Sequence, residues 1–137
     1  MMTPFEEILE KLGKILSLSL KPDHNRACAI QIKKNITIQL QSDSSEEKLL
    51  IGCKIIDLPP GKFRENVLKE VLKANGLPDP RIGTFAYIEQ LNQLFLFQYY
   101  PFEILSGERL SSLLGPFIQM AESWKEAIAS GKASPNL

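Results

Sequence analysis

The stretch NQLFLFQYYPF, residues 92–102, decides the fold because its pattern predicts a strand that is apolar on both faces. Successive side chains of a strand point to opposite faces of a sheet, so the apolar ones divide into two sets: Leu94 and Leu96 on one face, and Phe95, Phe97 and Tyr99 on the other. Burying one Leu or Phe contributes about 1.5 to 3 kcal/mol. Leaving a whole face in water would therefore forgo an amount comparable to the stability of a domain, about 5 to 15 kcal/mol. We expect both faces to be covered.

Four further segments predict strands. Residues 84–90 form a hairpin with residues 93–100, turning at Leu91 and Asn92. Earlier in the chain, apolar and polar residues alternate in three segments that predict a meander, residues 28–32, 36–40 and 49–55, with KKN as the turn at residues 33–35. Leu50 and Ile56 add apolar surface to the other face of the third strand.

The N-terminal helix has a clear start and end. Thr3 is a favourable N-cap, Pro4 suits the first turn and Glu6 completes a capping box. Apolar residues then recur at helical spacing as far as Leu16, and we expect the helix to end by Ser17.

Two more helices complete the chain. One apolar stripe runs from Phe63 to the stop signal at Gly76, and a longer one runs from Ser106 to near Gly131. Pro116 lies inside the longer stripe, so we expect a kink or a split there. The predicted fold is α+β, in the order α-β-β-β-α-β-β-α, with a twisted antiparallel sheet flanked by helices.

Length and composition favour one domain. The chain has 137 residues, of which 44% are hydrophobic, and this suits one core; we assign residues 1–131 to it and residues 132–137 to a flexible tail. Sixteen basic and sixteen acidic residues balance, which gives no support to nucleic-acid or membrane binding. The chain shows neither a signal peptide pattern nor a long apolar span, so we expect a cytoplasmic protein.

Residues suited to catalysis or metal binding are few. His24 is the single histidine, and Cys28 and Cys53 lie in strand patterns without metal-ligand spacing. A thiol enzyme using Cys28 with His24 would require an accidental geometry across a turn. We therefore predict no catalytic residue, no metal and no cofactor.

Longer stretches of the chain resemble the class I type III secretion chaperones, the CesT and SycE group. The resemblance rests on VLKANG at residues 71–76, on GTFAYIEQLNQLFLFQYYPFEILSGERLSSLLGPFIQMAESWKEAI at residues 83–128, and on FEEILEKLGKIL at residues 5–16. It implies a homodimer in the bacterial cytosol that acts without ATP. Such a protein binds the N-terminal segment of a secreted effector in extended form and keeps it competent for export, and components of the secretion apparatus are further partners.

The resemblance also implies roles for individual residues. In the family the second helix and the fourth strand form much of the dimer interface, which here gives Leu68, Val71, Leu72, Phe85 and Tyr87, supported by Phe97 and Tyr99. Effector binding is expected at apolar patches near the first helix and on the sheet: Leu18, Leu20, Ile30, Ile32, Ile36, Ile38, Leu50 and Ile56. For each of the second group, an ordinary core position is the alternative.

Two alternatives stay open. All three helices of one chain would cover both faces if they sandwiched the strands, and then no partner would be needed. An apolar small-molecule or lipid carrier would use the same hydrophobic surfaces as a closed cavity.

Overall fold

The elements of the chain follow the predicted α-β-β-β-α-β-β-α order. The computed structural model describes residues 1–33 and 35–137, so Lys34, the middle residue of the predicted KKN turn, lies outside the described residues. The helices are α1 (Pro4–Leu16), α2 (Lys62–Asn75) and α3 (Gly107–Ala129). The strands are β1 (Ala27–Lys33), β2 (Ile36–Ser42), β3 (Lys48–Asp57), β4 (Thr84–Ile88) and β5 (Gln93–Pro101).

The strands form one antiparallel sheet in the order β1-β2-β3-β5-β4. Burial alternates along the central strands: Leu94 and Leu96 of β5 are fully buried, whereas Phe95 and Phe97 are half-buried. Tyr99 is 53% exposed. The alternation predicted for residues 92–102 is therefore confirmed, and only one face of β5 is fully covered by the chain itself.

All three helices contribute to a single core on the covered face. Phe5, Leu9 and Leu12 of α1 are buried there, as are Val67 of α2 and Phe117 of α3. The alternative in which the helices sandwich the sheet on both faces is therefore wrong, because the helices bury their apolar stripes against each other and against the same side of the sheet.

Helix α1 begins and ends where the sequence predicted. The Thr3 hydroxyl accepts from the Glu6 amide at 3.1 Å, and the Glu6 carboxylate accepts from the Thr3 amide at 3.0 Å. These two bonds form the capping box. Ser17 ends the helix in a left-handed conformation, with φ of 59°.

Helix α3 is continuous through Pro116, so of the two predicted outcomes the split does not occur, and the kink stays a prediction. A proline clashes with the Cβ of the residue before it when that residue is helical. Here Gly115 precedes Pro116 and has no Cβ, which removes this part of the clash. The helix also begins where a helix start was expected, with the Ser106 hydroxyl accepting from the Arg109 amide at 3.0 Å.

The beginning of the predicted tail packs against α2. Ser134 is buried, and its hydroxyl donates to the Glu70 carboxylate at 3.3 Å. Ala133 also contacts the core, whereas Leu137 is exposed. Flexibility of the tail stays a prediction for the residues that follow Ser134.

Candidate interaction surfaces

The sheet face opposite the helices carries a groove of about 480 Å³, open to solvent. Among the described residues, every side chain that lines it comes from a strand. We call this surface the open face; it is formed by Thr37, Gln39, Gln41, Leu50, Gly52, Lys54, Ala86, Ile88, Phe95, Phe97 and Tyr99.

The open face is polar at one side and apolar at the other. Thr37, Gln39 and Gln41 come from β2, whereas β5 supplies aromatic rings. The rings of Phe97 and Tyr99 meet edge to face, with centroids 5.9 Å apart, and about half of Tyr99 remains exposed. The apolar half is the part of the open face suited to contact with another molecule, and the polar residues of β2 form its rim.

Lys54 is the charged side chain among the described residues that line the groove. Its ammonium pairs with the Asp57 carboxylate at 3.0 Å. The apolar half of the open face therefore presents no unpaired charge, which suits an uncharged, apolar occupant.

The two predicted apolar residues of β3 lie on different faces. Leu50 is on the open face, opposite Tyr99 of β5. Ile56 is not, because an irregularity between Lys54 and Ile56 shifts the register and leaves Ile56 packed against the core. One extra residue in a strand reverses the face of every following side chain. This explains why Ile56 does not share the face of Leu50, as the alternation predicted.

The residues predicted for the dimer contact fall into two groups. Val71 and Phe85 are 5% and 4% exposed and lie in the core of the chain itself. The half-buried Tyr87 hydroxyl donates to the Leu58 carbonyl at 2.7 Å. Leu68 is half-buried against the core.

The second group is available to a partner. Leu72 of α2 is 70% exposed, the highest exposure of any large apolar side chain within a helix among the described residues. Tyr99 and half-buried Phe97 lie on the open face.

The hairpin residues predicted for effector binding mostly belong to the core. Ile30, Ile36 and Ile38 are buried against the helices, and Ile32 is half-buried against the same cluster. For these positions the structure agrees with the alternative of ordinary core residues.

A second groove, of about 760 Å³, lies along α1. Leu18 and Leu20, both predicted for effector binding, line it after the chain turns back at Ser17. The chain passes so close to the helix that a Cβ on Gly13 would lie 2.5 Å from the Leu18 carbonyl oxygen. The Leu18 amide donates to the Gly13 carbonyl at 2.8 Å, which holds this wall of the groove.

Both thiols are poorly suited to nucleophilic chemistry. Burial raises the pKa of Cys53 to about 11 and also raises the pKa of Cys28. Both are therefore protonated near neutral pH, and His24 is exposed. No three His, Cys, Asp or Glu side chains in residues 1–33 and 35–137 form a group able to hold a metal ion. Within the same residues, no helix has the length and apolarity required to cross a bilayer.

Gly52 is a position on the open face that the residue pattern did not single out. A glycine within a strand pattern is itself a signal of close approach by another group. The glycine within the β3 pattern is therefore the sequence signal for this position.

Comparison with known protein families gives the chain a family. The model of the Tir chaperone protein (CesT) family matches residues 7–125, which is most of the chain. The chain belongs to the CesT family. The resemblance to the CesT and SycE group is therefore confirmed. No curated protein sequence matches this CesT family member.

Solved structures share the fold of this CesT family member. A chain of the Yersinia pestis type III secretion chaperone SycH complex with a stable fragment of YscM2 has a TM-score of 0.70 at 19% identity, covering 87% of this chain and 98% of that chain. A chain of the HopA1-SchA chaperone-effector complex has a TM-score of 0.66 at 21% identity, covering 90% and 94%. A chain of the Pseudomonas aeruginosa ExoT-SpcS complex has a TM-score of 0.67 at 15% identity, covering 89% and 97%.

Proposed function

We propose that this protein is a homodimeric, ATP-independent secretion chaperone that holds the N-terminal segment of a type III secreted effector in extended form. The observation that carries the proposal is the open face, where Phe95, Phe97 and Tyr99 lie on the side of the sheet that no helix in residues 1–33 and 35–137 covers. Apolar surface of this kind marks an interaction site. Membership of a chaperone family supports the same conclusion.

A second copy of the chain covers the open face in this proposal. Phe97 and Tyr99 contribute to the contact. Leu50, predicted from the sequence for effector binding, is assigned to the dimer contact instead because it is the cross-strand neighbour of Tyr99. Leu72 and the outer part of Leu68 stay predicted dimer contacts because the family resemblance places α2 in the interface; both belong to the helix side of the sheet and not to the open face. Val71, Phe85 and Tyr87 then support the interface from within the protomer.

The effector segment occupies the groove along α1. Leu18 and Leu20 provide apolar contact there, and Glu10 and Lys14 on the same groove form an ion pair at 3.5 Å that leaves the lining balanced in charge. An extended segment can place alternate side chains in such a groove while its backbone pairs with a sheet edge. Structures with the same fold were solved as chaperone-effector complexes, as HopA1-SchA illustrates.

No chemistry is required for this function. Binding and release follow from apolar burial, so the protein acts without a catalytic residue, a cofactor or nucleotide hydrolysis, in the bacterial cytoplasm. The open form of both grooves favours a peptide over an enclosed lipid or small molecule.

The test is capture of the effector from the native cytosol. The tagged chain is purified from its own bacterium, captured proteins are identified by mass spectrometry, and the N-terminal segment of each is measured against the purified chain by titration calorimetry. We expect one secreted protein to bind through its N-terminal segment, equally well with and without ATP, and light scattering to give the mass of a dimer.

Two results would contradict the proposal. A captured protein that binds equally well without its N-terminal segment would show another mode of recognition. A bound lipid or metabolite in the purified chain, together with a monomer mass, would favour the carrier.

A further inference from the structure

Gly52 lies at the centre of the open face, and no contact within the protomer explains why this residue is a glycine. It lies in the middle of β3, the central strand of the sheet, with Gln39 opposite on β2 and Phe97 opposite on β5. Its backbone is not in the left-handed region, and a Cβ added there would meet no atom within 4 Å. Neither backbone conformation nor packing within the protomer requires a glycine at this position.

A glycine inside a strand is unfavourable, because it loses more conformational freedom on folding and has no side chain to pack. Its presence in a central strand often marks the close approach of another group. At Gly52 the missing side chain leaves a depression in the floor of the groove, between the side chains of Leu50 and Lys54 on the same strand. The space above Gly52 is open to a side chain from outside the protomer, since no atom of the chain lies within 4 Å of where its Cβ would be.

A side chain that could fill the depression at Gly52 lies on the same face of the sheet. Tyr99 projects from it, 53% exposed, and its ring is held by the edge-to-face contact with Phe97. Tyr99 is opposite Leu50, two residues along β3 from Gly52, so it is a diagonal neighbour of the depression at about 7 to 8 Å. A projection and a depression side by side make the surface complementary to itself under a two-fold rotation, which is what a symmetric dimer requires.

We infer that Gly52 is a socket that receives Tyr99 of a second copy of this chain, and that the two reciprocal insertions set the register of the dimer. The inference rests on the proposed homodimer. A two-fold axis between Gly52 and Tyr99 places each ring over the other copy's socket, and sheets stacked about 10 Å apart leave room for side chains from both. The socket presents no unpaired charge, since Lys54 is paired with Asp57, so it accepts the apolar body of a tyrosine.

Filling the socket tests the inference. Gly52→Leu places a side chain in open space, so we expect a folded protein whose dimer dissociation constant rises at least about tenfold in analytical ultracentrifugation. Gly52→Ala is a smaller change that leaves the strand equally well formed, so it should raise the dissociation constant by less. It replaces the leucine variant in the test if that variant fails to fold. Gln119→Leu adds the same side chain to an exposed position of α3 and should leave the constant unchanged.

A double-mutant cycle identifies the side chain that fills the socket. Tyr99→Ala should weaken the dimer, and Gly52→Leu added to Tyr99→Ala should weaken it by much less than Gly52→Leu alone, because the inserted ring is already gone. Additive effects would overturn the pairing of these two residues. If Gly52→Leu and Gly52→Ala dimerise as tightly as the wild type, Gly52 is not a socket. The same conclusion follows if these variants lose effector binding while their dimer dissociation constant is unchanged. A monomeric wild-type chain would instead overturn the homodimer itself, so the two failures are distinguishable.

Discussion

The side chain of Asn75 forms hydrogen bonds with both backbone polar groups of Phe85. Its Oδ1 accepts from the Phe85 amide at 2.9 Å, and its Nδ2 donates to the Phe85 carbonyl at 3.0 Å. Asn75 is the last residue of α2, and Phe85 lies in β4, an edge strand of the sheet. A side-chain amide therefore occupies the place where another strand would pair, which protects this edge from association.

Replacing Asn75 tests this protection. Asn75→Asp keeps an acceptor for the Phe85 amide but cannot donate to the Phe85 carbonyl, so we expect a loss of about 1 to 3 kcal/mol in the free energy of unfolding. Urea denaturation measures the loss, and light scattering should detect aggregation through the exposed edge. Asn66→Asp makes the same change at an exposed position of α2 and should have little effect on either. Equal stability of the two variants would contradict this role.

Val71 and Leu72 are adjacent in sequence but should respond differently to the same substitution. Val71→Asp places an unpaired charge in the core and should cost about 3 to 5 kcal/mol, unfolding much of the protein. Leu72→Asp changes a side chain that is 70% exposed, so the fold should survive while the dimer weakens at least about tenfold. Circular dichroism and ultracentrifugation separate the two effects. An intact dimer in Leu72→Asp would exclude this residue from the contact.

The elements were predictable from sequence because each leaves a local periodic signal. The capping box of Thr3 and Glu6, and the two-residue alternation of β5, depend only on neighbouring residues. The direction that a stripe faces depends on the whole fold. Val71 and Leu72 belong to one apolar stripe of α2, yet packing places the first in the core and leaves the second in solvent.

The interaction surfaces were predictable only in part. Alternation identified Phe97 and Tyr99 as the second face of β5, and the turn after α1 brought Leu18 into a groove. The position of Ile56 could not be predicted, because a register irregularity depends on pairing between β3 and β5. Ile30 alternates just as an exposed strand residue would, and the packing of helices on its side decides that it is core.

Gly13 should resist a substitution that normally stabilises helices. Alanine is favoured over glycine by about 1 kcal/mol inside a helix. At Gly13 the added Cβ would lie 2.5 Å from the Leu18 backbone oxygen, so residues 17–20 would have to move and the α1 groove would change. We expect a lower melting temperature for Gly13→Ala. Gly76→Ala is the control: its Cβ would lie 3.4 Å from the Leu72 carbonyl oxygen, and its backbone is not left-handed. Stabilisation by Gly13→Ala would contradict the close approach.

Asp43 should make the stability of the β2–β3 turn depend on pH. The Lys48 amide donates to the Asp43 carboxylate at 3.2 Å and lowers its pKa below the ordinary value of 3.8, and the Glu47 amide donates at 2.8 Å. Because the pKa is lower in the folded chain, the ionised carboxylate stabilises the fold above the unfolded pKa, and this contribution is lost as the pH falls through the folded pKa.

Asp43→Asn should therefore be less stable than the wild type at pH 7, and the difference should shrink below about pH 4. Urea midpoints at pH 7 and pH 3 measure it. Glu103→Gln, which removes an exposed carboxylate outside this turn, should show no such convergence. A constant difference at both pH values would mean that the charge of Asp43 plays no part.

Leu18 offers the most direct separation of effector binding from folding and dimerisation. It lines the α1 groove and is 48% exposed, so a charged side chain there is solvated and should leave the melting temperature and the dimer mass unchanged. Leu18→Glu should weaken binding of the captured effector's N-terminal segment at least about tenfold, because the glutamate would have to be desolvated against an apolar segment. Leu91→Glu changes a leucine of similar exposure in the turn between β4 and β5, and binding should persist.

If Leu18→Glu binds normally while the dimer variant Leu72→Asp does not, the effector segment must lie on the surface that the second copy completes, and the α1 groove is not its site.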